Sequence, residues 1–200
     1  DGFILSYDYD AYHLRLLADI LGIPFAKDVN VHEYFGKLFF NKTELTEEEN
    51  GQAKQVNFKI LYGGIPKEYL HIEFFARAKE FSKQLWRSFN RDGYIESRVF
   101  QRKMHKEFFP EISSNKLFNY YIQSYETERN MLVLSKLFKK IDEYKSKMIL
   151  YTYDSFVIDF HKSDGGEFIK MVKTELEDNT FPTKIYVGPD YQNLVQVHVA

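Results

Sequence analysis

The sequence predicts an α+β fold: a small antiparallel sheet whose strands come from both ends of the chain, with a long helical excursion between them. Three observations predict it. Phe3-Ile4-Leu5-Ser6-Tyr7 is a short β-prone run close to the start. Residues 148–160 read as strand, turn and strand, and residues 184–187 as a last strand. Between them, apolar residues recur mostly at helical spacing. The sheet must therefore join segments more than about a hundred residues apart, and its connections must carry the helices.

Taken in order, the first strand ends at Asp8. Residues 11–21 have helical periodicity, and Gly22-Ile23-Pro24 stops it. Residues 31–40 form a second helix. Thr46 with Glu49 three residues later is a capping box, and Glu47, Glu48 and Glu49 suit the positive end of a helix dipole. That helix runs to about Tyr62, where Gly63-Gly64-Ile65-Pro66 ends it. Helical patterning resumes from Lys67 to about Asn90 and breaks at Arg91-Asp92-Gly93. Residues 94–100 read as a strand and 101–115 as irregular. A long helix from Ser114 to about Tyr144 precedes the strand pair, and residues 166–177 form the last helix.

The bulk numbers exclude several classes. A 200-residue chain with 44% hydrophobic residues buries a real core, as one domain or one domain with an inserted subdomain. A net charge of −2 leaves room for a local basic face. The absence of cysteine removes disulfides, thiolate zinc sites and Cys nucleophiles, and suits a reducing compartment. No apolar run reaches the roughly 18 residues a membrane span needs, so no membrane partner is expected. The chain begins without methionine, almost directly in a strand, which implies an upstream part. Nineteen Phe and 15 Tyr, with many Lys and Asn, suit an AT-rich coding genome.

Two carboxylates end strand-like runs: Asp8 after FILSY and Asp154 after MILYTY. If their strands are neighbours, the two side chains converge; otherwise they are separate surface aspartates. Bare carboxylates at about 4 Å repel by roughly 4 kcal/mol at an effective dielectric near 20. A converging pair therefore needs a shared proton or a cation, and hard oxygen ligands suit Mg²⁺. A second feature is the four-residue spacing of Asn50, Lys54, Phe58 and Tyr62. It lines one helix face, with Lys54 to Tyr62 spanning about 12 Å. The stripe either offers an ammonium to phosphate and rings to a base or sugar, or is a solvated lysine beside two core aromatics. The six histidines show no metal-ligand spacing, and no nucleophile elbow or phosphate loop is present. A loose cationic stretch through Arg77, Lys79, Lys83, Arg87, Arg91, Arg98, Arg102, Lys103 and Lys106 is interleaved with Phe and Trp86. It reads as a solvated helix face or a nucleic-acid-facing surface.

Three of these places together resemble motifs of the family A DNA polymerases, the bacterial DNA polymerase I type. Asp8-Tyr9-Asp10-Ala11-Tyr12-His13-Leu14-Arg15 resembles the first motif, D-Y-S-x-x-E-L-R. Ala53-Lys54-Gln55-Val56-Asn57-Phe58-Lys59-Ile60-Leu61-Tyr62-Gly63 resembles the second, A-K-x-x-N-F-x-x-x-Y-G. Tyr153-Asp154-Ser155 falls where the third, H-D-E between two strands, would lie. Asn30-Val31-His32, Gly93-Tyr94-Ile95-Glu96 and Val187-Gly188-Pro189-Asp190-Tyr191 extend the likeness, in order, over nearly the whole chain.

The resemblance implies a palm sheet with a helical fingers insertion: 1–24 first palm part, 25–113 fingers, 114–200 second palm part. It implies template-directed nucleotidyl transfer from dNTP to a primer 3′-hydroxyl by a two-metal mechanism. Asp8 and Asp154 would be the catalytic carboxylates holding two Mg²⁺, with the Tyr9 carbonyl as a further ligand. Asn50, Lys54, Phe58, Tyr62 and His13 would meet the nucleotide, and helix rotation would gate the site. Arg15, Gly63, Gln123, Thr127 and Tyr153 would lie along primer–template DNA. A thumb and exonuclease region is expected on a missing N-terminal part or a separate chain. Without it the grip on DNA is weak, because backbone contacts supply most of the affinity. The departures are Asn50 for an arginine, His13 for the glutamate that blocks a ribose 2′-hydroxyl, Tyr153 and Ser155 around Asp154, and Thr127 for a DNA-contacting glutamine, with Gln123 one turn earlier. The departures and composition imply a phage source and a bacterial or phage-infected cytoplasm. Two other readings are a single-subunit RNA polymerase, which has H-D-S in its third motif, and a degenerate palm kept as a replication scaffold.

Overall fold

In this computed structural model, which describes residues 2–198, the elements run β1 (Gly2–Tyr9), α1 (Tyr12–Ile20), α2 (Val31–Phe40), α3 (Glu47–Gly63), α4 (Glu73–Asp92), β2 (Tyr94–Glu96) and β3 (Lys103–His105). Then follow α5 (Ser114–Ile141), β4 (Lys147–Thr152), β5 (Ser155–His161), α6 (Gly165–Leu176), β6 (Thr183–Gly188) and β7 (Val195–Val197). The α+β class predicted from the sequence is the class observed. By its contacts the chain divides into two compact units, Asp1–Tyr12 with Glu126–Ala200, and His13–Tyr125.

The first unit is the sheet, in the order β4-β5-β1-β6-β7, every neighbouring pair antiparallel. Strand alternation sorts its chemistry. Leu5, Tyr7 and Tyr9 of β1 lie on one face in register with Ile158 and Phe156 of β5 and Ile185 of β6, and all six are buried. Each such side chain contributes about 1.5–3 kcal/mol by leaving water. Helix α6 covers this face. The Tyr7 and Tyr9 hydroxyls donate to the carbonyls of Ile169 and Leu176, at 3.2 and 2.5 Å. Phe168 packs 5.8 Å from Phe160, centroid to centroid. Ser6, Asp8 and Ser155 occupy the other face, where the two serine hydroxyls bond at 3.0 Å.

Arg129 of α5 closes the unit beside the α6–β6 loop. Its guanidinium lies 3.9 Å from the centre of the Phe181 ring and donates to Asp178 at 2.8 Å. Asp178 also accepts from the backbone N–H and hydroxyl of Thr180 and from the Phe181 N–H, which folds the loop.

In the second unit, Phe35 stacks between α2 and α4, with ring centroids 4.8 and 4.9 Å from Phe74 and Phe75. A further cluster of Leu85, Phe89, Ile95 and Leu117 joins α4, the β2–β3 pair and α5, with Trp86 and Met104 against it. The capping box at Thr46 is the one the sequence predicts, and the structure adds a cap at Asn30. Thr46 and Glu49 form a reciprocal capping box, and Asn30 accepts the Glu33 N–H at the start of α2.

Three segments differ from the sequence prediction. Residues 94–100 are not one strand: the chain reverses and β2 pairs with β3. The turn carries no Gly, Pro or Asn signal. Buried Ser97 makes it, its hydroxyl accepting the Arg102 N–H at 2.9 Å, with Gln101 at φ +53°. The helix predicted from Lys67 begins only at Glu73, because Lys67–Tyr69 form a 3₁₀ turn and Ile72 is extended. β7 was not predicted, since Val195-Gln196-Val197 is too short to show a pattern. Among the described residues no helix is long and apolar enough to cross a membrane.

The Asp178 carboxylate gives a pH prediction. Burial would raise its pKa, but the Thr180 N–H and the Arg129 guanidinium outweigh that and hold it below its ordinary value. A folded pKa below the unfolded one stabilises the fold above the unfolded value, and the gain is lost as pH falls through the folded one. Asp178→Asn is expected to melt below the parent at neutral pH. The two melting temperatures should converge below about pH 4, measured by circular dichroism.

Candidate active site

In the sheet unit, Asp8 sits opposite Ser155 across β1 and β5, and the Tyr9 N–H donates to the Asp154 carbonyl at 3.0 Å. The two carboxylate-bearing residues thus occupy adjoining backbone positions, although one opens the chain and the other lies near its end. Asp8 is half-buried and Asp154 exposed. Lys184 of β6 lies opposite Asp8 in register, but its ammonium pairs with Asp10.

Asp154 is the second of two residues linking β4 to β5, since Thr152 pairs with Ser155. The first, Tyr153, has φ +51° and a side chain 77% exposed. Left-handed backbone costs a non-glycine residue roughly 1–2 kcal/mol, so something must hold the turn. Asn130 of α5 does so. Its amide nitrogen donates to the Tyr153 carbonyl at 2.7 Å and to the Tyr151 hydroxyl at 3.0 Å, and its oxygen accepts from the Tyr12 hydroxyl at 2.5 Å. Asn130 is fully buried. Burial also pushes the Tyr12 phenol well above its ordinary pKa, keeping it a donor. Sequence reading missed Asn130. The signal was there: with Leu134, Leu137 and Ile141 it lies on the buried stripe of a long helix, an amide among aliphatics.

Two carboxylates on adjoining strand ends are hard oxygen donors of the kind Mg²⁺ takes, and they fit such an ion when backbone, water or substrate oxygens complete the shell. Among the described residues no group of three or more His, Asp or Glu side chains could hold a metal by themselves.

In the helical unit, α3 buries Ala53, Asn57, Ile60 and Leu61 and turns Lys54, Phe58 and Tyr62 outward. Phe58 is 41% and Tyr62 42% exposed, so the reading of this stripe as core aromatics does not hold. Their rings are parallel within 8° at 6.1 Å, and the Lys54 ammonium lies 5.9 Å from the Phe58 ring centre. The Tyr62 hydroxyl bonds to His13 Nδ1 at 2.5 Å. An imidazole–phenol bond thus links α1 to α3. Gln123 joins His13 and Tyr62 around one small cavity. Asn50 is half-buried, one turn before Lys54. Gly63 is exposed, and its carbonyl accepts from Asn115. Thr127 is exposed on α5.

Arg15 is different. It is 2% exposed, and its guanidinium donates to the carbonyls of Phe25, Ala26 and Val29 at 3.4, 3.1 and 2.7 Å. A cation so enclosed clamps the 25–29 loop, which corrects its expected place along DNA.

The chain superposes on the POL domain of Pol1 from M. smegmatis, in complex with DNA primer-template and dNTP, with a TM-score of 0.78 at 14% identity. The match covers 94% of this chain and 40% of that one. By sequence it is 26% identical to DNA polymerase I of Streptococcus pneumoniae serotype 4 over 89% of its length. It is 26% identical to DNA polymerase I of Caldicellulosiruptor bescii over 88%, and 21% identical to the thermostable DNA polymerase I of Thermus aquaticus over 91%. No family model matches. The resemblance read from the motifs stands: the chain is similar to the family A polymerases of the DNA polymerase I type. It spans about a quarter of the length of these curated relatives (24% of the Streptococcus protein).

Asn130→Ala removes the bonds that Asn130 makes to the Tyr12 and Tyr151 hydroxyls and the Tyr153 carbonyl. Such a loss costs roughly 1–3 kcal/mol per buried group. The variant is expected to shift its urea midpoint down accordingly at unchanged m-value.

Proposed function

We propose that this chain is the palm and fingers portion of a template-directed DNA polymerase, with residues 1–24 and 114–200 as palm and 25–113 as fingers. The compact units divide elsewhere, at 12/13 and 125/126. The observation that carries the reading is the Tyr9–Asp154 backbone bond, which brings two sequence-distant aspartates to adjoining strand ends. The relatives' names and the neighbour's bound DNA and dNTP supply the substrate class.

In this reading Asp8 and Asp154, with the Tyr9 carbonyl, would hold two Mg²⁺, which when bound would supply positive charge for the attacking hydroxyl and the leaving pyrophosphate. Lys54 places its ammonium for the triphosphate, and Asn50 offers an amide where the family has an arginine. Phe58 and Tyr62 present ring faces to the base and sugar. His13, held by Tyr62, keeps the bulk that excludes a ribose 2′-hydroxyl. Gly63, Gln123, Thr127 and Tyr153 lie exposed for primer–template contact. The thumb and exonuclease parts belong to the remaining length of the protein or to a separate chain, and the protein works in the cytoplasm of a bacterium or a phage-infected cell.

Asp154→Ala in the full-length protein is expected to lower primer extension about a thousandfold, the rate equivalent of roughly 4 kcal/mol. Its affinity for primer–template should stay the same. Unchanged extension would remove the aspartate from catalysis and favour a scaffold. His13→Ala should raise rNTP relative to dNTP incorporation in single-nucleotide assays. A parent that already prefers rNTP would instead fit an RNA polymerase.

A further inference from the structure

The β2–β3 hairpin is built with two unlike faces. Ile95 and Met104 turn inward, into the cluster around Leu85, Phe89 and Leu117. The outward face is a row of rings. Tyr94 and His105 are cross-strand partners with centroids 5.7 Å apart, and Phe108 stands edge-on to His105 at 6.2 Å. The Lys103 ammonium lies 4.4 Å from the Tyr94 ring centre. Phe108 is 71% exposed, and Phe100 at the turn is 52% exposed. Large rings this accessible are uncommon on a surface that has no use for them.

The charge around these rings is cationic. Residues 94–108 hold Arg98, Arg102, Lys103 and Lys106 against Glu96 and Glu107, in a chain whose total is −2. Arg98 is committed inward: it donates to Asp19 at 3.0 Å and packs on Tyr125, whose phenol burial pushes up to about 12. Lys106 reaches back to the Asn90 amide oxygen at 2.7 Å, a neutral partner. Lys103 is exposed beside the rings, and Arg102 is exposed one residue before it, at the turn. The frame is stiff. Gly93 caps α4 at φ +76°, the Lys106 N–H bonds to its carbonyl at 2.8 Å, and buried Ser97 fixes the turn.

We propose that this hairpin is a binding site for single-stranded nucleic acid, which in the polymerase reading, on which the identity of the strand rests, is unpaired template. Successive ring faces suit unstacked bases, and the flanking cations suit the phosphates between them. That combination binds single strands with little regard to sequence. An acidic peptide would use the cations and leave the rings idle.

The test uses the full-length protein and fluorescein-labelled primer–templates with template overhangs of about ten nucleotides or of one, read by anisotropy. Replacing Phe100 and Phe108 together by alanine is expected to weaken binding of the long overhang about a hundredfold, since stacking on each ring is worth about tenfold per base. Binding of the short overhang should not change. Leucine at both positions, which keeps apolar bulk without a π face, should lose the same affinity. Arg102→Ala with Lys103→Ala should reduce the salt slope by about 1.4, at roughly 0.7 per phosphate released from a single strand. Emission of Trp86, the single tryptophan, packed against the same cluster, reports that the variants keep the fold. Equal affinity of parent and ring variants for the long overhang would overturn the proposal, as would displacement of the strand by polyglutamate as readily as by unlabelled DNA. Those outcomes leave the polymerase reading intact, provided the parent extends primers on the short overhang; failure there would sink that reading instead.

Discussion

β1 has two neighbours in the sheet, and both come from the far end of the chain. Everything said of the carboxylate site depends on that pairing. Alternation along β1 sends Leu5, Tyr7 and Tyr9 into the core and leaves Ser6 and Asp8 on the opposite face. A slip of one residue against β5 would exchange the faces, burying Asp8 among aromatics and exposing Tyr7. The buried tyrosines guard the register twice, through their ring packing and through hydroxyls that donate to the α6 carbonyls of Ile169 and Leu176.

Much of this was legible before any coordinates. The strand ends at Asp8 and Asp154, the capped helix at Thr46 and the outer strands of the excursion follow from period-2 and period-3.6 patterns and from a capping box. What the patterns do not show is what side chains do to one another. Nothing local to Arg15 says that it closes on three carbonyls of a loop ten to fourteen residues on. The spacing of Phe58 and Tyr62 fits a buried stripe as well as an exposed one, and only packing of Asn57, Ile60 and Leu61 decides between them. The β2–β3 turn was missed because a serine side chain does there what glycine or asparagine does elsewhere.

The departures from the family motifs are mended locally. His13 stands where a glutamate is usual, and the Tyr62 hydroxyl still finds a partner in it. The imidazole ring is bulkier than a carboxylate. At the other aspartate, a tyrosine occupies the left-handed turn position, and Asn130 supplies the bonds that keep it there.

The placement of β1 also sets a schedule. Ser6 and Ser155, hydrogen-bonded in the finished sheet, are 149 residues apart. At a synthesis rate of about 5–20 residues per second, the first strand leaves the ribosome roughly 7–30 seconds before its partner. The helices between are stitched by short-range contacts and form within that interval. Until then Phe3-Ile4-Leu5 waits as an unpaired apolar strand with both edges open, the kind of segment that aggregates or recruits a chaperone. A polypeptide of this topology is thus most vulnerable while it is being made, and the exposure ends when β5 and β6 appear and pair with β1.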